Sequence, residues 1–382
     1  MLKNKIYKYF SLEILRNFLI ILFAFSSIVW TVRSVNFLEL IVDNGHSIKT
    51  YLLFSILNLT NVITKLIPIS FLFALVVSII KFDKQNELLS LWTNGVSKIS
   101  LVNLFFFISI FIFLLQLLFA VFITPTALNK SREIVRTSDI DSVNSLIKSN
   151  DFSDSFESLT FFVGEKTNNN ELKNIFIRDE NNTFKSLVSD QGKSSNTTII
   201  ARSGSINKKK LVLNNGVIQS QNNDGKVNIV EFEKTELSLF KLSTGFIKQP
   251  KIQETNTVLI LKCLFLSDLV FVKEKLIENN CPSHRGNELF ETVSRRIGMP
   301  LYIPLLSLIS SFLLFSKRNK KYNFFDKYIY GFYGFIVLIF AEILVRYSGF
   351  SLTNASLYFL LPLLMTPIVY FYLLTKIKTE KV

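Results

Sequence analysis

Six apolar runs punctuate the chain, three in its first third and three near its end. A hydrocarbon core of about 30 Å is crossed by about 20 helical residues. Residues 15–35, 52–80, 101–123, 297–315, 328–347 and 357–374 meet or approach that length. The second run is long, and Pro68 inside it predicts a kink. Pro125 is expected to close the third. The first run has no small-residue cleavage site and is followed by further spans, so it is expected to stay in the protein.

Between the two groups of runs the pattern changes period. Residues 159–163, 172–178, 186–189, 197–202, 211–213, 217–219 and 227–232 alternate apolar and polar positions, as half-buried strands do. Asn168-Asn169-Asn170, Glu180-Asn181-Asn182, Asn214-Asn215-Gly216 and Asn222-Asn223-Asp224-Gly225 stand between them, and Asn and Gly supply the positive φ of hairpin turns. Many short strands with tight turns predict a β-jelly roll or sandwich. After Pro250, residues 257–277 read as a helical connector near the membrane, with Lys262, Asp268, Lys273 and Lys275 interrupting it.

The expected architecture is therefore an α-helical membrane protein with six transmembrane helices, 3+3, and an inserted β-jelly-roll domain. Residues 1–125 form the first bundle, 126–290 the β domain with its connector, and 291–382 the second bundle. No internal repeat is visible.

Charge placement adds orientation. Lys3, Lys5 and Lys8, then Lys81, Lys84 and Lys98, then Lys317, Arg318, Lys320, Lys321 and Lys327, then Lys376, Lys378 and Lys381 all fall on one side of a six-span chain. The opposite short loops hold only Lys49 and Arg346. Cationic loops stay in the cytoplasm, so the termini are expected there and the central domain outside.

Composition removes several function classes. A net charge of +14 suggests nucleic acid in a soluble protein. Here the 38 Phe sit largely in lipid-like runs, and no nucleic-acid partner is expected. Two His and two Cys are too few for a zinc site, so neither metal nor cofactor is expected. Cys263 and Cys281 can pair or remain free thiols. Gly192-Lys193-Ser194 lacks the further Gly of a phosphate-binding loop, because the position five residues earlier is Leu187. No catalytic constellation is present, so any energy source is expected in a partner.

One loop is too structured for a plain connection. Residues 84–95 carry Asn86, a residue able to cap a helix, then Glu87 in the first turn, where the helix dipole favours an anion. Leu88, Leu89, Leu91 and Trp92 share a helical face. Gly95 stands where a helix ends. A short cytoplasmic helix with one apolar face serves either as a lipid-resting segment or as a peg for a partner's groove.

Here the chain resembles the LptF/LptG family, the permease subunits of the ABC-type lipopolysaccharide exporter. The family pattern in this loop is a small polar residue, Glu, an apolar run, Gly eight residues after the Glu, then an apolar residue and Ser or Thr. It reads here Asn86-Glu87-Leu88-Leu89-Ser90-Leu91-Trp92-Thr93-Asn94-Gly95-Val96-Ser97. The resemblance continues through Leu66-Ile67-Pro68-Ile69, Ile177-Arg178-Asp179, Ile200-Ala201-Arg202-Ser203-Gly204, Leu211-Val212-Leu213-Asn214-Asn215-Gly216, Glu288-Leu289-Phe290 and Arg295-Arg296-Ile297-Gly298-Met299-Pro300. Trp30-Thr31-Val32-Arg33 leans towards LptF rather than LptG.

The resemblance implies a heterodimer with the paralogous permease subunit and a cytoplasmic ABC ATPase dimer gripping Glu87, Leu88, Leu91, Trp92 and Gly95. It also implies hand-over of lipopolysaccharide to the periplasmic jelly-roll protein LptC and the bridge protein LptA. Lipopolysaccharide carries phosphates at the membrane boundary, where basic side chains near span ends can hold them. Arg33, Arg132, Arg136, Arg295, Arg296 and Arg346 occupy such ends, and Lys65 lies inside the second run. Family members place a basic residue near the position of Arg33. Headgroup anchoring is the plainer role for all of them, and Glu342 and Arg346, four residues apart, suit an ion pair. A membrane-anchored periplasmic binding or scaffold protein without transport activity is the alternative reading.

Overall fold

The computed structural model describes residues 2–42, 46–146, 149–156, 159–167, 171–179, 194–207, 210–222, 227–238, 252–268, 286–315 and 324–379. Two compact units emerge. One comprises Met1–Val32, Leu57–Asn129 and Pro250–Val382, the other Arg33–Ile56 and Lys130–Gln249.

Among the described residues, six helices are long and apolar enough to cross a membrane: Lys5–Val42, Ile48–Lys84, Lys98–Val135, Asn287–Phe315, Ile329–Ser348 and Leu352–Thr379. The first combines α1 (Leu2–Asn36) with a short α2 (Glu39–Val42). The second is α3 (Ile48–Lys84), which runs on through Pro68. A short helix of about two turns, α4 (Glu87–Thr93), follows it. The third span does not stop at Pro125. It runs as α5 (Lys98–Leu118), a π turn (Phe119–Ile123) and α6 (Thr124–Leu146). A proline withholds one donor and crowds the carbonyl four residues back; the wider π turn absorbs both defects. That carbonyl belongs to Val121, and the Thr257 hydroxyl donates to it at 2.9 Å.

The fourth span is assembled from α8 (Gly286–Val293), a π turn (Ser294–Gly298), a 3-10 turn (Met299–Leu301), α9 (Tyr302–Ser311) and a closing 3-10 turn (Phe312–Phe315). It is preceded by α7 (Thr257–Asp268), the start of the expected connector, whose later residues lie outside the described ones. Cys263 in α7 is buried and disulfide-bonded; Cys281 lies outside the described residues. The last two spans are α10 (Phe324–Ser348) and α11 (Leu352–Thr379).

The spans are not equivalent. Two-thirds of the most apolar stretch is buried in the second and fourth spans (67% each), against 17% in the first and sixth. The second span thus forms the axis of the first unit. Ile67, Phe71, Leu72 and Leu75 join Phe105, Ile303 and Leu306 in one core. Gly334 of α10 lies so close to this axis that an added Cβ would meet Leu72 at 2.6 Å. Between apolar spans immersed in apolar lipid, such close approach supplies much of the attraction.

Span ends meet as an up-and-down layout requires. Lys98 at the start of the third span and Lys376 near the end of the sixth both lie over the Phe315 ring, at 5.2 and 5.4 Å, at the end of the fourth. Glu13 in the first span pairs with Lys81 near the end of the second. At the other end, Arg295 of the fourth span pairs with Glu342 of the fifth at 2.5 Å.

The second unit holds the top of the first helical hairpin and the β domain. In the hairpin, the Tyr51 hydroxyl donates to the Ser34 carbonyl, and Phe37 and Phe54 meet edge-on at 5.0 Å. The β domain is a six-stranded antiparallel sheet in consecutive order: β1 (Asp151–Phe156), β2 (Leu159–Lys166), β3 (Glu171–Asp179), β4 (Ser194–Asn207), β5 (Lys210–Asn222) and β6 (Val227–Ser238). Among the described strands the connections are those of a meander, without the crossings of a Greek key. The candidate strand at 186–189 lies outside the described residues.

Asn214-Asn215-Gly216 is not the hairpin turn its composition suggests, because β5 runs straight through it. It belongs to a crease. The ladder skips Gly164 opposite Asn174, Asn174 opposite Arg202, Arg202 opposite Asn215, and Asn215 opposite Glu233. Asn174 and Asn215 take φ of 54° and 52° there, a region Asn tolerates better than most residues. The crease shifts the in-out alternation by one residue on several strands at once. Leu172 and Ile175, and likewise Leu213 and Ile218, therefore enter the same core with Phe161 and Ile177. The opposite face carries the partly exposed row Phe152, Phe162, Phe176 and Ile200, cross-strand neighbours in register.

Candidate functional site

The short helix α4 ends as the sequence expects. Gly95 takes φ +76°. Its N–H donates to the Trp92 carbonyl and that of Val96 to the Leu91 carbonyl, the paired bonds of a Schellman motif. Its start differs. Asn86 sits at φ 56°, ψ 17° and makes no side-chain cap. Only Gln85 and Asn86 separate α3 from α4, so the reversal needs a left-handed residue, whereas a capping residue must be extended. Asn serves the turn instead of the cap.

The apolar face of α4 also finds a different partner. Leu88 and Leu91 are buried in the main core of this chain with Phe82 and Val96, and Trp92 packs against it. The surface left outward is Leu89, Ser90, Thr93 and Asn94. Leu88 and Leu91 therefore hold α4 onto the spans rather than standing as a free apolar peg.

Glu87 is half-buried. The Tyr9 hydroxyl, 78 residues away, donates to its Oε1 at 3.1 Å. Its Oε2 is buried with no partner among the described residues. Beneath it α1 is zipped to α3. Phe10 meets Phe82 edge-on at 4.4 Å, Lys81 donates to buried Glu13, and Arg16 donates to the same carboxylate oxygen at 2.6 Å. Asn17 donates to the Ser78 hydroxyl at 2.8 Å. Glu13 and Lys81 are charges near the start and end of apolar runs, a pattern that announces pairing inside a membrane; the sequence reading did not use it.

The basic candidates separate into distinct situations. Lys65, Arg295 and Arg296 come together around a cavity of about 360 Å³ between the second, third and fourth spans, with Thr64, Thr124, Gln253, Glu288 and Glu291. Arg296 is buried and its guanidinium is used internally. It donates to the carbonyls of Thr255, Ile252 and Gln253 at 2.9, 3.2 and 3.0 Å, and to the Thr257 hydroxyl at 2.6 Å. Thr257 passes the chain on to Val121. The expectation of a phosphate ligand at Arg296 gives way to a pin that joins the fourth span to the turn at Ile252–Glu254 and to the third span.

Arg295 is bound between two carboxylates, Glu342 at 2.5 Å and Glu291 at 3.2 Å. Glu342 therefore serves Arg295, not Arg346, its neighbour one turn on. Arg346 stays exposed, with no ion pair among the described residues, and lines an open cavity with Glu342, Tyr347 and Phe350. Arg33 and Arg132 belong to the second unit and are half-buried. Arg33 has no ion pair among the described residues. Arg136 lies on α6, and its side chain is outside the described ones.

Residues 8–376 match the family model described as lipopolysaccharide export system permease LptF/LptG. The chain is also similar to the uncharacterized protein RP871 of Rickettsia prowazekii (strain Madrid E), 23% identical over 309 residues, which is 79% of this chain and 80% of that protein.

Proposed function

The chain belongs to the LptF/LptG family of lipopolysaccharide export permeases, and from that membership we propose that it is the transmembrane subunit of an ATP-driven extractor of lipopolysaccharide. It is a multi-pass membrane protein. In this reading it sits in the inner membrane beside a paralogous subunit, with a separate ATPase dimer below. Lipopolysaccharide leaves through periplasmic jelly-roll partners of the LptC and LptA kind.

One observation carries the proposal: α4 is held on the spans by Leu88 and Leu91, turns Leu89, Ser90, Thr93 and Asn94 outward, and carries the half-buried carboxylate of Glu87 in its first turn. A partly exposed carboxylate on a seated helix is a ready acceptor for a cationic donor from a docked ATPase. The rigid seat then transmits the motion of the ATPase to α3 and the core. The Lys-rich short loops on the side of α4 support a cytoplasmic position for this helix. Arg33 and Arg346, cations without an ion pair among the described residues, suit the lipid phosphates, with Arg132 and Arg136 as further candidates. Arg295 and Arg296 serve the frame that supports them, and Lys65 faces a cavity beside that frame.

Co-purification tests the core of this reading. Glu87→Ala is expected to cost the permease most of its associated ATPase, while Arg33→Glu is expected to lower lipopolysaccharide-stimulated turnover severalfold with the complex intact. An intact, fully active Glu87→Ala complex removes the coupling assignment. Unchanged turnover in Arg33→Glu removes that residue from the substrate path.

A further inference from the structure

The carboxylate proposed as the docking group is not held by its own helix. Its one donor among the described residues is the hydroxyl of Tyr9, near the start of the first span. Tyr9 is about half exposed (48%), so its ring is not there to fill a core. The residues beside it are fixed: Phe10 by Phe82, Glu13 by Lys81, Asn17 by Ser78 and Phe18 by Phe71. Phe10, Glu13 and Asn17 recur at i, i+3 and i+7 and Phe18 follows Phe10 by eight residues, so they lie along one broad side of α1. They clamp α1 along the last four turns of α3, and Tyr9 is the first residue of that side to reach beyond α3 onto α4.

The consequence is geometric. The Tyr9 hydroxyl on Oε1 selects one Glu87 rotamer before any partner arrives: Oε2 is turned inward and buried, and Oε1, with a second lone pair, is the oxygen left for an incoming donor. A carboxylate free to rotate loses side-chain entropy on docking; one already oriented loses less. We propose that Tyr9 is a positioning residue for energy coupling. It presents Glu87 to the ATPase and ties the movement of α4 to the first span as well as to the second. The inference rests on the reading of α4 given above.

The test uses the assembled complex, permease pair with ATPase, in lipopolysaccharide-containing proteoliposomes. Wild type, Tyr9→Phe, Glu87→Ala and the double variant are compared. ATPase affinity, lipopolysaccharide released per ATP hydrolysed and the unfolding midpoint of each permease are read. Tyr9→Phe keeps the ring and its edge contact with Phe10. It is expected to weaken ATPase affinity about tenfold, the loss of a hydrogen bond to a charged group. The unfolding midpoint should stay unchanged, and the double variant should be no worse than Glu87→Ala. A wild-type Tyr9→Phe beside a defective Glu87→Ala overturns the positioning role and leaves the coupling helix standing. Two wild-type single variants overturn both. A double variant weaker than Glu87→Ala, or a midpoint that falls in step with affinity, makes Tyr9 an independent or merely structural contact and overturns the inference.

Discussion

Arg296 and Glu87 are both charged, both wholly or partly withdrawn from water, and both bonded to residues far away in the chain. They differ in how completely they are satisfied. Arg296 directs four hydrogen bonds at its own chain. Glu87 accepts one through Oε1 and leaves Oε2 with no partner among the described residues. The first pattern is that of a pin, since removing it takes from the Thr255 and Gln253 carbonyls their side-chain donor. The second suits the docking role proposed for Glu87. Charge and position in the sequence do not separate these roles; the hydrogen-bond inventory does.

The sharpest way to break this comparison is to remove the pin. Arg296→Met keeps much of the side-chain volume but removes all four hydrogen bonds of the guanidinium, leaving the Thr255 and Gln253 carbonyls without their side-chain donor. A loss on the order of 3–5 kcal/mol in stability is expected, as for breaking a buried charged network. Unfolding in detergent, followed by helical signal, measures it. Glu87→Ala in the same assay should shift stability by less than about 1 kcal/mol, because its single bond to Tyr9 is partly exposed; its defect belongs in ATPase association. If both variants destabilise equally, the division into pin and docking group collapses.

The next effect is an exchange. Arg295→Glu and Glu342→Arg each leave like charges facing one another between the fourth and fifth spans, at a cost of about 1–3 kcal/mol. The double exchange restores the pair and should recover most of it. Without recovery, the contact at 2.5 Å is not an energetic link. Arg346→Glu is expected to change stability by less than about 0.5 kcal/mol and to lower lipopolysaccharide-stimulated turnover, which would sharpen the contrast between engaged and open cations.

The smallest effect is one of pH. His46, buried just before α3, has its pKa pushed below the ordinary imidazole value by desolvation. The unfolded chain binds the proton more readily there, so the contribution of the neutral ring is present above about pH 6.5 and is lost as pH falls. Hydrogen-exchange protection at Ile48–Tyr51, taken relative to the intrinsic rate at each pH, should fall on acidification from about pH 7.5 to about 5.5, and His46→Gln should flatten that change. An unaltered acid response in His46→Gln assigns the loosening to another group.

How much of this was legible beforehand depends on whether the determining interaction is local. The six spans follow from runs of apolar residues long enough to cross a bilayer. The strands follow from alternation, and the end of α4 from Gly95, where positive φ is a property of one residue. Each rests on a few neighbours in sequence. The family resemblance was legible too, because it rests on an ordered series of short motifs.

Tertiary structure decided the rest. Asn86 has the chemistry of a cap but became a left-handed hinge because α3 ends two residues before α4. Asn214-Asn215-Gly216 has the composition of a hairpin but became part of a crease, since neighbouring strands skip the same row. Pro125 did not end its helix, because a π turn and a threonine from 132 residues further along the chain make good its defects. Leu88 and Leu91 turned inward because the spans offered a larger apolar surface than any partner needed to supply. Arg296 and Glu87 were separated into a fully and a partly satisfied charge by contacts 39–44 and 78 residues away. The sequence determined which residues must avoid water and which may bend; only the folded chain determined which charges found their partners within it.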